Sequence, residues 1–239
     1  MGKDFETRLD AEVPATPEQV WQAIATGPGV SSWFVGRTEI DGDTVRTSFG
    51  DDWIPAGRVT ARAEPTHFAY GSEPGADGRF VAYEYLVEGR DSASTVLRTV
   101  TSGFLPGDDW AAEYEAMQYG TALFFATLLE YLRWFPGRVA TPVTAFGPPV
   151  ADWPAEWRRL HATLGLSDPR PGDEVRAELP GLPAVDGEVY FVNPHTLGIR
   201  TPDALYRFIR GLHGGLVVGH ALFSPTAGAG PAWAAFLTR

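Results

Sequence analysis

Residues 108–137 read DDWAAEYEAMQYGTALFFATLLEYLRWFPG, and their spacing decides the fold. Trp110, Tyr114, Met117, Thr121, Phe124, Leu128, Leu132 and Phe135 recur every three or four positions, the stripe of a helix packed along one face. Asp108 and Asp109 stand before it, either able to accept the free amide hydrogens of a first turn. Glu113 and Glu115 place negative charge where the helix dipole favours it. Tyr119, Ala122, Leu123, Ala126 and Leu129 fall on the other faces, so the second half of the helix is apolar nearly all round. Such a helix needs cover on more than one side. A sheet in front is expected, with something else packed behind.

The sheet is legible upstream. Residues 5–13, FETRLDAEV, alternate apolar and polar positions as a strand with one wet face does. Thr16-Pro17-Glu18-Gln19 supplies an N-cap, a proline at the first helical position and a glutamine three residues after the cap, so a helix begins there with Val20, Trp21 and Ile24 buried. Gly27-Pro28-Gly29 is expected to stop it, and residues 30–34 read as a short second turn ending on Trp33 and Phe34. Strands follow at 37–40, 44–49, 57–63, 66–70, 80–88 and 94–102, joined by connections too short for parallel crossovers. They form an antiparallel meander.

Beyond residue 140 the order repeats. Thr16-Pro17-Glu18-Gln19-Val20-Trp21 has its counterpart in Asp152-Trp153-Pro154-Ala155-Glu156-Trp157, offset by 136 residues. Gly42-Asp43-Thr44-Val45-Arg46 matches Gly172-Asp173-Glu174-Val175-Arg176, and AYEYLVEG at 82–89 matches ALYRFIRG at 204–211. Trp110-Ala111-Ala112 matches Trp233-Ala234-Ala235, after which the second copy of the helix ends within about two turns. The sequence therefore divides into a unit at 1–139 and a truncated repeat at 140–239. The second sheet, short of helix cover, is expected to lean on the back of the 108–137 helix.

Composition narrows the function classes. The chain of 239 residues carries 19 Lys+Arg against 30 Asp+Glu, a net charge of −11, with Lys3 its single lysine. Nucleic acid is not an expected partner, since affinity for it comes chiefly from basic side chains on phosphate. Without cysteine, thiolate chemistry and cysteine zinc sites are excluded. The apolar window at 119–129 is far short of the roughly 20 residues of a membrane span. With no apolar leader in MGKDFETRLD, a cytoplasmic location is the expectation. His67, His161, His195, His213 and His220 form no HExxH and no i, i+4 pair, so no metal is expected. GxSxG, Walker A and GxGxxG motifs are missing, which argues against the hydrolase, P-loop and dinucleotide classes. Gly-Asp-Asp-Trp occurs at 50–53 and 107–110, and its paired carboxylates read as a turn and a helix cap. No catalytic residue is assigned.

The order of strand, short helices ending in Trp-Phe, antiparallel meander and long helix resembles the helix-grip fold of START-like (Bet v 1-like, SRPBCC) proteins. PEQVWQAIATGPGVSSWF at 17–34, GRVTARAEPTHFAY at 57–70 and YEYLVEGRDSASTVLRTVTSGF at 83–104 are most similar to the Hsp90 ATPase activator homologue group. The resemblance implies an α+β fold: a curved antiparallel sheet gripping a long C-terminal helix over a hydrophobic cavity, followed here by a degenerate second unit with a shortened last helix. Residues expected at that cavity are Trp33, Phe34, Trp53, Phe68, Tyr70, Tyr83, Tyr85, Tyr114, Met117 and Thr121, with Arg98 as an anion partner. Apolar walls with a few orienting hydroxyls suit a small apolar ligand. The expected function is cofactor-free ligand binding. Its alternatives are an aromatase/cyclase-like enzyme on an apolar substrate and a co-chaperone-like interaction module, with a protein partner or homo-oligomer left open.

Overall fold

The computed structural model describes residues 2–90, 94–108, 110–224 and 227–238. Its first strand, β1 (Lys3–Val13), leads into α1 (Pro17–Ala25) through the expected capping box: Thr16 Oγ1 accepts from Gln19 N at 3.3 Å and Gln19 Oε1 accepts from Thr16 N at 2.9 Å. The Gly27-Pro28-Gly29 run does not only stop this helix. Thr26 leaves α1 in an extended conformation, and its hydroxyl then accepts from Gly29 N at 3.1 Å, so the same residues open α2 (Gly27–Ser31). The short helix thus begins earlier than residue 30. A threonine that ends one helix can cap the next when its side chain outcompetes water for the free amide.

Strands β2 (Thr38–Asp41), β3 (Thr44–Phe49), β4 (Asp52–Trp53), β5 (Gly57–Ala63), β6 (His67–Ser72), β7 (Phe80–Gly89) and β8 (Thr95–Leu105) follow. With β1 they make an antiparallel sheet of order β1-β8-β7-β6-β5-β3-β2, to which β4 adds a two-residue edge on β3. Helix α3 (Trp110–Trp134) then runs 25 residues. Of the two expected capping residues, Asp109 lies outside the described residues. The second half supplies β9 (Thr141–Pro149), α4 (Trp153–Thr163), β10 (Glu174–Ala177), β11 (Val185–Asn193), β12 (Thr196–Thr201), β13 (Ala204–Arg210), β14 (Gly215–Leu222) and α5 (Ala229–Leu237). Its antiparallel sheet has the order β10-β11-β12-β13-β14-β9. In both sheets the first strand lies beside the last and the remainder meander away from it. The fold is α+β and helix-grip, with a 25-residue gripped helix in the first half and a nine-residue one in the second.

Two cores result, one on each face of the second sheet. On one face of the second sheet Val189, Leu197, Ile199, Tyr206, Phe208 and Val218 pack with Leu160 and Leu164 of α4 and its following turn and with Trp233 and Phe236 of α5. The face expected to be short of cover is therefore closed by its own helices. Leu205, Ala221, Tyr190 and Phe223 belong instead to the core of the first half, beside Leu128, Tyr131, Leu132 and Phe135. The second sheet leans on α3 with its other face. Tyr190 lies across Gly198, where a Cβ would come within 2.4 Å of its ring, and its hydroxyl reaches Thr127 Oγ1 at 2.7 Å. Arg200 Nε donates to Glu130 Oε2 at 2.9 Å and its guanidinium covers the Trp134 ring, while Phe135 and Phe223 stack at 4.1 Å. Among the described residues, no helix is long and apolar enough to cross a membrane.

Candidate functional site

A cavity of about 460 Å³ opens between the N-terminal half of α3 and strands β7 and β8. The period of two in a strand sends Tyr83 and Tyr85 of β7, and Thr99 and Thr101 of β8, to the same inner face. Met117, Gly120, Thr121 and Phe124 face them from α3, and Trp33 and Phe34 close one end. The cavity stays open there because Gly120 brings no side chain: a Cβ at that position would meet nothing within 4 Å.

The second half forms the rest of the wall. Phe146 and Gly147 of β9, Ile209 of β13, Leu212 and His213 of the β13–β14 turn, and Val217 of β14 all line it. Phe146 meets Phe49 of β3 edge-on at 5.0 Å, so the two halves touch across the mouth. Ile54, Phe146 and Leu212 remain exposed around that mouth. These second-half residues, together with Gly120 and Phe125, were not anticipated as site residues. A signal for them exists: β14, GLVVGHAL, is apolar on both faces, the pattern of a strand covered on both sides.

Of the anticipated residues, Trp33, Phe34, Tyr83, Tyr85, Met117 and Thr121 stand on the cavity wall. Phe68 and Tyr70 are buried behind it, in ring contact with each other and with Trp21 and Tyr83. Tyr114 packs outside it between Phe5 and Trp110. Trp53 is at the sheet edge, 38% exposed, under the Arg46 guanidinium at 4.5 Å. Arg98 is on the exposed face of β8, cross-strand from Asp10, because the residue after inward-facing Leu97 must point outward. It does not reach the cavity.

Most ionisable groups near the cavity turn away from it or are phenols. Burial pushes the Tyr83 hydroxyl up to about 12, and the Tyr85 and Tyr70 hydroxyls rise for the same reason. Tyr70 Oη is buried without a well-formed hydrogen bond, although it lies beside the Tyr85 hydroxyl. Glu84 contributes to the wall, but its carboxylate accepts from or shares a proton with His67 Nε2 at 2.8 Å. Arg210 turns its guanidinium to the Trp153 ring and to His195. His213 is exposed at the rim.

Arg207 is the unusual charge. It is fully buried between the halves: Nη1 donates to the carbonyls of Trp33 and Phe34, Nε donates to Gly219 O, and the guanidinium lies over the Phe124 ring. Its Nη2 has no partner among the described residues, and burial lowers its pKa to about 10. It ties the second sheet to the Trp33-Phe34 end of the cavity without facing the cavity itself. His220, equally buried, accepts from Arg207 N through Nδ1 at 3.0 Å and packs on Trp233. Burial, and then the Arg207 charge, hold its pKa well below the ordinary value. Among the described residues no group of three metal-ligating side chains forms.

No protein-family model matches the chain, and no match to it was found among curated proteins. Solved structures do align with it. The di-domain ARO/CYC BexL from the BE-7585A biosynthetic pathway aligns over 97% of this chain and 88% of its own, at 14% identity and a TM-score of 0.47. The Aha1 dimer from Colwellia psychrerythraea covers 54% of this chain and 96% of its own, at 19% identity and a TM-score of 0.43. A Thalictrum norcoclaurine synthase point mutant in complex with a transition-state analogue covers 55% of this chain and 96% of its own, at 13% identity and a TM-score of 0.41.

Proposed function

We propose that this protein binds a small, largely apolar molecule in the cavity between α3 and β7–β8. Its halves, residues 1–139 and 140–239, are then two START-like units in tandem, the second serving as a wall of the first unit's site. The finer kinship proposed for the first unit is with the Hsp90 ATPase activator homologue group. The observation that carries the reading is the cavity itself: about 460 Å³, walled by aromatic and aliphatic side chains from both halves, with a few hydroxyls among them. Binding is favoured over proton-transfer catalysis because a general acid or base works best when it titrates near the operating pH. The cavity tyrosines are displaced the other way, Tyr83 to about 12.

The test is fluorescence titration with N-phenyl-1-naphthylamine, an uncharged apolar probe, beside Gly120→Phe. The full-length protein is expected to take up one equivalent. Gly120→Phe, which places a ring in the open space, is expected to weaken binding at least about tenfold while circular dichroism stays unchanged. Equal binding by the variant would overturn the site, and no binding by the wild type would overturn the function.

A further inference from the structure

The polar part of the cavity is of one chemical kind. Tyr83 pairs across the strands with Thr101, and Tyr85 with Thr99. Three hydroxyls, those of Tyr83, Tyr85 and Thr101, therefore line the β7–β8 wall, with the buried Tyr70 hydroxyl beside that of Tyr85, while the Thr99 hydroxyl donates to Leu9 O at 3.4 Å. A hydroxyl donates one hydrogen bond and accepts others, and it carries no charge. The opposite wall, with Phe124, Ile209 and Val217, adds only one more hydroxyl, that of Thr121 on α3. The charges beside this wall are committed elsewhere, Glu84 to His67, Arg210 to Trp153 and His195, and Arg207 to three backbone carbonyls behind the Phe124 ring, while His213 is exposed at the rim.

A ligand carboxylate seated against this wall would lose its water without gaining a cation, and an ammonium would lose its water without gaining an anion. A pure hydrocarbon would strip water from the hydroxyls and return no acceptor. We propose that the cavity selects an uncharged ligand whose apolar body carries a carbonyl or phenolic oxygen, held by the hydroxyls of Tyr83, Tyr85 and Thr101. This rests on the ligand-binding function proposed above and specifies the class of ligand.

Three probes of one size separate the possibilities: 2-acetylnaphthalene, 2-ethylnaphthalene and 2-naphthoate, titrated into the full-length protein by calorimetry. The ketone is expected to bind about five- to tenfold tighter than the ethyl compound, the worth of one satisfied hydrogen bond, and tighter than the carboxylate. Tyr83→Phe with Tyr85→Phe should bring the ketone down to the affinity of the ethyl compound. Retained binding of the ethyl compound, within about twofold, reports that the pocket has kept its shape. Thr101→Val, nearly isosteric, should remove part of the same preference. Equal affinity for ketone and ethyl compound in the wild type, or tightest binding of 2-naphthoate, would overturn the inference while leaving ligand binding intact. Failure of all three probes to bind would overturn both.

Discussion

The two sheets share a strand order and differ in what fills them. In the second, Trp233 of the nine-residue α5 is 1% exposed and touches Tyr206, Phe208, His220 and Phe236, so a short helix closes the face with one large ring. In the first, a 25-residue helix crosses the sheet, yet opposite β7 and β8 it presents Gly120, Thr121 and Met117 and leaves a cavity. Helix length does not decide whether a grip is hollow; the volume of the residues facing the sheet does. The comparison also assigns roles. One face of the second sheet is filled by its own helices, and its other face covers α3 and completes the wall of the hollow one.

Removing the filled half should have the largest effect. A fragment of residues 1–139 would expose the back of α3 around Leu123 and Thr127, both fully buried in the whole chain, and lose Leu205 and Ala221 from its core. It is expected to aggregate in sedimentation velocity; a monomeric fragment that unfolds cooperatively would break the division of roles. Next comes Trp233→Ala, which would hollow the second sheet. Loss of about 3–5 kcal/mol is expected in urea denaturation, the ordinary cost of deleting a buried aromatic ring. A loss under about 1 kcal/mol would mean that the second sheet is not packed around that ring.

A smaller effect tests the same core through protons. His220 is held well below its ordinary value of 6.5 in the folded protein, chiefly by burial and then by Arg207, and is free to protonate when unfolded. The neutral form therefore contributes stability above pH 6.5 that is lost as pH falls, at up to about 1.4 kcal/mol for each pH unit. Denaturation at pH 7.5 and 5.5 should show this loss, and His220→Gln, which cannot take up the proton, should reduce it. The smallest effect is expected where the first sheet is made to resemble the second. Gly120→Phe removes a mid-helix glycine and fills open space, so stability should hold or rise by up to about 1 kcal/mol. A clear loss of stability would mean that the space is not free.

How much of this was legible in the sequence follows from the range of the interactions. The stripe on α3, the Thr16–Gln19 box and the alternation in β7 are local patterns, and each gave its element. The division of α3 into a cavity face and a covered back was foreshadowed by its all-round apolarity. What escaped was placement across the halves. Ile209 and Val217 read as ordinary strand residues, because nothing within ten positions of them reports that Tyr83 and Thr121 stand opposite. Arg207 looks in sequence like any strand cation, and only the meeting of β13 with the Trp33-Phe34 carbonyls buries it. Trp53 reads as a loop residue at the cavity and Arg98 as a strand residue able to reach it, but the sheet edge and strand parity place both outside.

The central claim is that one cavity is built by both halves, and nuclear Overhauser contacts to a bound probe test it most directly. In protein labelled at methionine and isoleucine methyl groups, 2-acetylnaphthalene should show contacts to Met117 of α3 and to Ile209 of β13 in the same complex, since both line the cavity. Contacts to Met117 without Ile209 would leave the second half out of the site, and contacts to neither would place the ligand elsewhere.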